Sequence, residues 1–315
     1  MLSRLTFGKT VSFKVTVSDH KEQIGVWKGT YNPSRLQCTS ESLKMSDSEL
    51  QVKGGTYSIR VGEKERVSGK IPFTFEGSIL SQLRNEMLPK SFVRFKEFLL
   101  HSESLDMLTP ERLRQRTREA HGTLGHGGRH LSAFVYELGT QGRKELVRRL
   151  QHAYPRLQKV WAKSLRSGWK QLLVSEHYDG QRLRTEARHM NDGLLRLIAI
   201  LAELTSDREF LLFDEIENGI NPELVEFATD ALVGAEQQVV VTTHSPMILN
   251  YLDDETAKAG VIYLYKTARG HTQAIPFFSI PSLQKKLEVM GPGEAFVDTD
   301  LLLLGAEIER MAKER

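Results

Sequence analysis

"FLLFDEIENGINP", residues 210–222, is the stretch whose reading decides the fold. Four apolar residues in a row are followed at once by two carboxylates, Asp214 and Glu215. An unbroken apolar run of that length reads as a strand buried on both faces, which belongs in a parallel sheet covered by helices. The segments around it agree. Upstream, "GLLRLIAILAEL" (193–204) has the length and apolar content of a core helix. Downstream, "NPELVEFATDALVGA" (221–235) reads as a second helix, and "QQVVVTTHS" (237–245) as a second buried strand. Strand, helix and strand in that order predict a parallel α/β sheet.

The carboxyl ends of such strands are where open α/β sheets hold their ligands. Paired acids there suit two tasks. Asp214 can hold Mg²⁺ through water, because magnesium keeps much of its hydration shell. Glu215 can orient and polarise an attacking water. The second strand ends in "TTHSP" (242–246), so a parallel pairing brings His244 to the same edge, in reach of a terminal phosphate. A third stretch, "HMNDGLLRLIAIL" (189–201), offers Asn191 as an N-cap and Gly193 as a point of close backbone approach at a helix start. Each feature alone has an ordinary reading: a strand running into a polar loop, a structural histidine, a capped core helix. Their order and spacing together favour a nucleotide site.

Elsewhere the periodicity changes twice. "VSFKVTV" (11–17), "IGVWKGTY" (24–31), "TYSIRV" (56–61) and "KIPFTF" (70–75) alternate and predict antiparallel strands. "SILSQLRNEML" (78–88), capped by Ser78, and "SFVRFKEFLLH" (91–101) predict helices, as do "TPERLRQRTREA" (109–120), capped by Thr109, "LSAFVYEL" (131–138) and "GRKELVRRLQHAYPRLQKVW" (142–161). Asp179-Gly180 and Arg269-Gly270 mark two hairpins. The expected organisation is an antiparallel β part over 1–77, a basic helical insertion or lid over 78–175, and a C-terminal half over 176–315.

Composition narrows the partners. With 40% hydrophobic and 26% charged residues the chain is ordinary for a water-soluble globular protein, and its one cysteine, Cys38, excludes an internal disulfide and a cysteine zinc site. Neither a leader nor a membrane-spanning run is recognisable, so the expectation is a cytoplasmic protein without a membrane partner. Charge is uneven. Between residues 111 and 170 stand 14 Lys/Arg against four acids, a net of +10 in a chain of net +3. Such a segment is a candidate nucleic-acid surface.

Together, the three motifs resemble the ATP-binding cassette ATPases of the SMC/RecF/OLD kind, and most closely the bacterial AAA-type group found in phage-defence and DNA-repair loci. "FLLFDEIENGINP" is similar to that family's Walker B with D-loop, "TTHSP" to its switch histidine, and "MNDGLLRLIAIL" to its signature. "HGGRHLSAFVYEL" (126–138) is similar to its helical lid, and "VMGPGEAFVDTDLL" (289–302) to its C-terminal stretch. The resemblance implies a P-loop NTPase head of the α/β class that uses ATP and Mg²⁺. It implies Asp214 at the metal, Glu215 as base and His244 as phosphate sensor. It also implies that Asn191, Asp192, Gly193 and the D-loop Asn218 contact nucleotide across a homodimer, each head completing the other's site. Asn191 stands where the family has serine. A separate effector protein is a further implied partner.

Neither glycine-lysine stretch fits the family's phosphate loop. "SRLTFGKT" (3–10) has Ser3 where the first glycine belongs, bulky residues in its middle and an alternating strand after it. "SGKIPF" (68–73) lacks the hydroxyl residue and the helix. The expectation is a chain without the N-terminal strand and Walker A segment: a fragment, a half completed by another polypeptide, or an ATPase that has lost activity. A fragment would be poorly soluble or low-melting. Two other functions compete: a non-catalytic nucleic-acid-binding scaffold, and a metal-dependent nuclease using Asp214, Glu215 and Glu217 or the pair Asp298 and Asp300.

Overall fold

The computed structural model describes residues 10–19, 22–62, 65–105 and 108–314. The chain forms two compact units, Met1–Leu100 and His101–Arg315. The fold is mixed α/β, as the sequence predicts.

The first unit is an antiparallel meander. Strands β1 (Val11–Asp19), β2 (Glu22–Asn32), β3 (Gln37–Met45), β4 (Ser48–Lys53), β5 (Thr56–Val61) and β6 (Glu65–Lys70) pair in sequence order. Alternation places Leu43, Met45, Leu50, Val52 and Ile59 on one face, where Phe92 and Phe95 of helix α1 (Lys90–Leu100) close the core. Glu41 lies under this core, 3% exposed. Its carboxylate accepts from the Ile79 amide and the Ser78 hydroxyl at 2.7 Å and from Trp27 Nε1 at 3.2 Å. Burial pushes its pKa up, and these donors hold it in place.

Three expectations are corrected here. "KIPFTF" is not a strand: β6 ends at Lys70 and the chain then leaves the sheet towards Phe75. Residues 78–88 form two single 3₁₀ turns, Ile79–Ser81 and Asn85–Met87, in place of a helix, although Ser78 does cap the first by accepting from the Leu80 amide. Strand β3 went unread, and β4 was read only from residue 50, because polar Glu41 and Ser48 stand at inward positions and interrupt the alternation. The "SGKIPF" stretch ends a strand with no helix after it. Residues 3–9 of "SRLTFGKT" lie outside the described residues, and Thr10 leads into β1.

The second unit begins with β7 (Ser102–Leu105), followed by α2 (Pro110–Leu113), α3 (Leu131–Glu137) and α4 (Gly139–Leu150). The meander β8 (Leu157–Ser164), β9 (Lys170–Tyr178) and β10 (Gln181–Glu186) comes next. Helix α5 (Asp192–Glu203), β11 (Phe210–Phe213), α6 (Pro222–Val233) and β12 (Gln238–Val241) then build a parallel sheet in the order β12-β11-β7. Helix α7 (Asp254–Gly260), the hairpin β13 (Ile262–Lys266) and β14 (Thr272–Pro276), and helices α8 (Pro281–Leu287), α9 (Pro292–Val297) and α10 (Leu301–Glu314) complete the unit.

Helix α5 is buried along Leu194–Glu203 without interruption, which explains why its sequence is apolar all round. Leu211 and Phe213 pack into the same core. The opposite sheet face is less covered than an all-apolar strand predicts, with Val240 of β12 41% exposed. Two further corrections fall in this unit. The helix predicted over 109–120 is the single turn of α2, and Thr109 makes no side-chain capping bond. The helix predicted to run through residue 161 stops at Leu150, and "LQKVW" belongs to β8, where Val160 pairs with Val174 of β9.

Candidate functional site

The site is built at the carboxyl ends of β11 and β12. The ladder runs past the strands into it: the Thr242 amide donates to the Phe213 carbonyl at 2.9 Å, and the Ile216 amide to the Thr242 carbonyl at 3.3 Å. The Asp214 amide donates to the Leu105 carbonyl of β7 at 3.3 Å. Both loops are therefore anchored by backbone before any side chain acts.

Thr242 joins the two acids. Its hydroxyl donates to Asp214 Oδ1 at 2.5 Å and accepts from the Glu215 amide at 2.9 Å. Glu215 has φ +49°, a left-handed conformation that a side-chain-bearing residue adopts at a cost. The Asn218 amide closes the turn on the Glu215 carbonyl at 3.0 Å, and Asn218 Nδ2 donates to Glu215 Oε2 at 3.4 Å.

His244 Nε2 lies 3.8 Å from Glu215 Oε1, with 87% of its side chain exposed. The His244 amide donates to Glu217 Oε1 at 3.0 Å, and Glu217 Oε2 is buried without a partner. The acidic pair and the imidazole share one rim, as the sequence predicts.

Helix α5 approaches the same loop from below. Asn191 caps it, its Oδ1 accepting from the Leu194 amide at 2.8 Å. Gly193 stands beside the loop: a Cβ there would sit 3.7 Å from the Asn221 nitrogen and 3.8 Å from the Gly219 carbonyl oxygen. Asp192 pairs with Arg114 at 2.5 Å, and the same guanidinium nitrogen donates to the Met190 carbonyl at 2.8 Å.

Arg196 is a residue of this site that the sequence did not single out. It is 9% exposed, and its Nε has no hydrogen-bond partner. With Leu105, Ile200 and Phe213 it lines a recess that opens on Asp214 and Glu215. It also packs against Gly219: a Cβ on that glycine would lie 2.8 Å from Arg196 Nε. Burial lowers the pKa of this guanidinium, and the charges of Asp192 and Glu111 oppose that shift. The signal was a single arginine in the otherwise apolar run Leu194–Ala202. Thr242 gave none, being a polar residue in a loop, whereas Glu217 was read only as a candidate metal ligand.

The donor set suits one hard cation with oxygen ligands supplied largely by water and phosphate, since Asp214 is the carboxylate best placed at the strand end. Among the described residues no three His, Cys, Asp or Glu side chains converge as a metal cage.

Residues 101–250 match the family model described as "AAA domain, putative AbiEii toxin, Type IV TA system". No curated protein matches the chain. Solved structures similar to it include the SMC head domain from Thermotoga maritima, at 8% identity over 76% of this chain and 74% of that one, with a TM-score of 0.36. Another is the SMC head bound to the C-terminal winged-helix domain of ScpA, at 13% identity, 82% and 76% coverage and a TM-score of 0.37. A third comes from work on ATP-driven dimerization and DNA-stimulated activation of SMC ATPases, at 15% identity, 48% and 93% coverage and a TM-score of 0.35.

Proposed function

We propose that the chain is the catalytic half of an ATP-hydrolysing switch. The observation that carries this reading is the connected rim of Asp214, Thr242, Glu215 and His244, in a segment that matches an AAA domain.

In this reading Asp214 holds Mg²⁺ through water, steadied by the Thr242 hydroxyl. The ion, when bound, neutralises charge on the terminal phosphates. Glu215 takes the proton of the attacking water, and His244, exposed beside it, contacts the γ-phosphate. Asn191, Asp192 and Gly193, with Asn218 from the D-loop, face the nucleotide of a second copy, so that ATP closes a homodimer. The phosphate cradle comes from a loop other than the two glycine-lysine stretches of this sequence. The antiparallel part over 1–77 supports the head, the basic part over 78–175 acts as lid, and 176–315 carries the chemistry. We place the switch in the cytoplasm, in phage defence or DNA repair, acting on a separate effector protein. Among the described residues no helix is long and apolar enough to cross a membrane.

The test is ATP binding and turnover by the gene's full product. Glu215→Gln should abolish turnover while ATP-dependent dimers accumulate. Absence of nucleotide binding would overturn the ATPase reading, and full turnover by Glu215→Gln would overturn the assignment of the base.

A further inference from the structure

The basic run over 111–170 does not form one surface once folded. Arg114 pairs with Asp192, and Arg148 and Arg149 with Glu145. Arg112 and Arg143 donate to backbone carbonyls of His126 and Tyr136. Much of the charge that marks this segment in the sequence is therefore spent on holding helices and loops together.

Of the cations left over, Lys159 and Lys163 lie on one sheet face. In the β8-β9-β10 meander, Val160, Ala162, Leu172 and Val174 point into the core. Residues between them point to the other side, because side chains alternate along a strand. The register sets Lys159 beside Ser175 and Ser175 beside Arg184 in one row across the three strands. Trp161 beside Leu173 and Leu173 beside Glu186 form the next row, where Glu186 is paired with Arg188 at 2.9 Å, and Lys163 stands in the one beyond. On the far side of the first row, His177 stands beside Arg182. Lys159, Lys163, Arg182 and Arg184 are exposed and make no ion pair or hydrogen bond among the described residues. Trp161 and Leu173 between them are half-buried. The Ser175 hydroxyl is 2% exposed and has no partner. Two of the four cations, Arg182 and Arg184, lie beyond residue 170, so charge counting along the chain did not include them.

We propose that this face of the β8-β9-β10 sheet binds single-stranded nucleic acid, with phosphates held by Lys159, Lys163, Arg182 and Arg184 and a base stacked on Trp161. Four unpaired cations, with the one acid on the face, Glu186, already neutralised by Arg188, favour a polyanion. The indole of Trp161 in their midst selects among polyanions: a stacking base uses an indole face, whereas duplex phosphates and an acidic peptide do not. A strand that displaces the lysine and arginine stems also reaches the Ser175 hydroxyl. The inference goes beyond the ATPase reading above and does not require ATP turnover, so the two are tested apart.

Binding is measured on the full chain, without nucleotide, by fluorescence anisotropy of a labelled oligothymidylate of about 20 nucleotides. Affinity should fall steeply between about 50 and 200 mM salt. Lys159→Gln with Arg184→Gln should weaken it about tenfold and flatten the salt slope by one or two contacts. Arg148→Gln with Arg149→Gln removes equal charge from α4 and should leave affinity within about twofold. Trp161→Leu should cost at least about fivefold and Trp161→Phe less, with melting curves showing that each variant folds. Quenching of Trp161 fluorescence by the oligonucleotide, in a Trp27→Phe, Trp169→Phe background, reads the contact without altering it. Equal losses in the α4 control, unquenched Trp161, or tighter binding of duplex or of anionic vesicles would each overturn the proposal.

Discussion

The Thr242 hydroxyl is shared by the two acids of the rim: it donates to Asp214 Oδ1 at 2.5 Å while accepting from the Glu215 amide at 2.9 Å. One side chain from β12's end thereby fixes both residues at β11's end. Thr242→Val keeps the shape and removes both bonds. Turnover should fall roughly tenfold to a hundredfold through misplacement of the acids. The melting temperature should shift by less than about 1 kcal/mol would produce, because the bonds are exposed. A Thr242→Ser variant should restore turnover. Unchanged turnover in Thr242→Val would show that backbone alone positions the acids.

The left-handed turn at Glu215, φ +49°, carries strain that only glycine escapes. Glu215→Gly should therefore be more stable than Glu215→Ala by roughly 1 kcal/mol, since both lose the carboxylate and differ in the turn. Urea denaturation of the two variants decides this. Equal midpoints would mean that the turn relaxes in solution.

Two glycines that flank the α5 contact should behave in opposite ways. Gly219 has φ +71°, and a Cβ there would press on Arg196 at 2.8 Å. Gly219→Ala should cost roughly 1–2 kcal/mol. Gly193 lies in the first turn of α5, where a Cβ meets Asn191 Oδ1 at 3.6 Å, an ordinary contact. Gly193→Ala should keep or raise stability by up to about 1 kcal/mol. If a partner's phosphate meets the bare backbone, it should nevertheless weaken ATP-dependent dimerization about tenfold. Sedimentation in the Glu215→Gln background measures that loss. Undiminished dimerization would place the nucleotide contact elsewhere.

What was legible in the sequence follows from what shapes each element. Strands β11 and β12 and helix α5 are specified by local burial, which leaves apolar runs of recognisable length. The rim followed because parallel pairing has one outcome for strand ends. The β8 strand was misread because "LQKVW" continues an apolar spacing that helix and strand share over five residues. Its identity comes from pairing with β9. Strand β3 and the start of β4 were invisible for a similar reason: Glu41 and Ser48 are inward-facing polar residues, satisfied by partners far along the chain. Arg196 and Thr242 act through neighbours brought in from other segments, and single-residue patterns do not encode those neighbours. Ion pairing is decided only in the folded chain, so counting charge over 111–170 did not show which cations stay unpaired.

The other end of α5 gives the last prediction. Glu203 is fully buried, neither carboxylate oxygen has a hydrogen-bond partner, and Glu103 of β7 lies close enough to add repulsion. The charge of Arg208, which also pairs with Glu103 at 3.4 Å, tempers this, as do the Leu124 backbone and the Ser206 side chain. Burial first and Glu103 second push the Glu203 pKa from 4.5 to about 8. The folded chain thus keeps this proton up to about pH 8, whereas the unfolded chain releases it near the ordinary carboxyl value. Between those values the unfolded state binds fewer protons, so this group makes stability fall as pH rises, by up to about 1.4 kcal/mol per pH unit. Below the ordinary value both states are protonated and the effect is absent. Glu203→Gln holds a neutral group at every pH and removes that slope. Denaturation midpoints of wild type and variant should converge near pH 5 and separate towards pH 8, with the variant the more stable. Parallel curves across that range would show that Glu203 is ionised in the folded protein and balanced by Arg208.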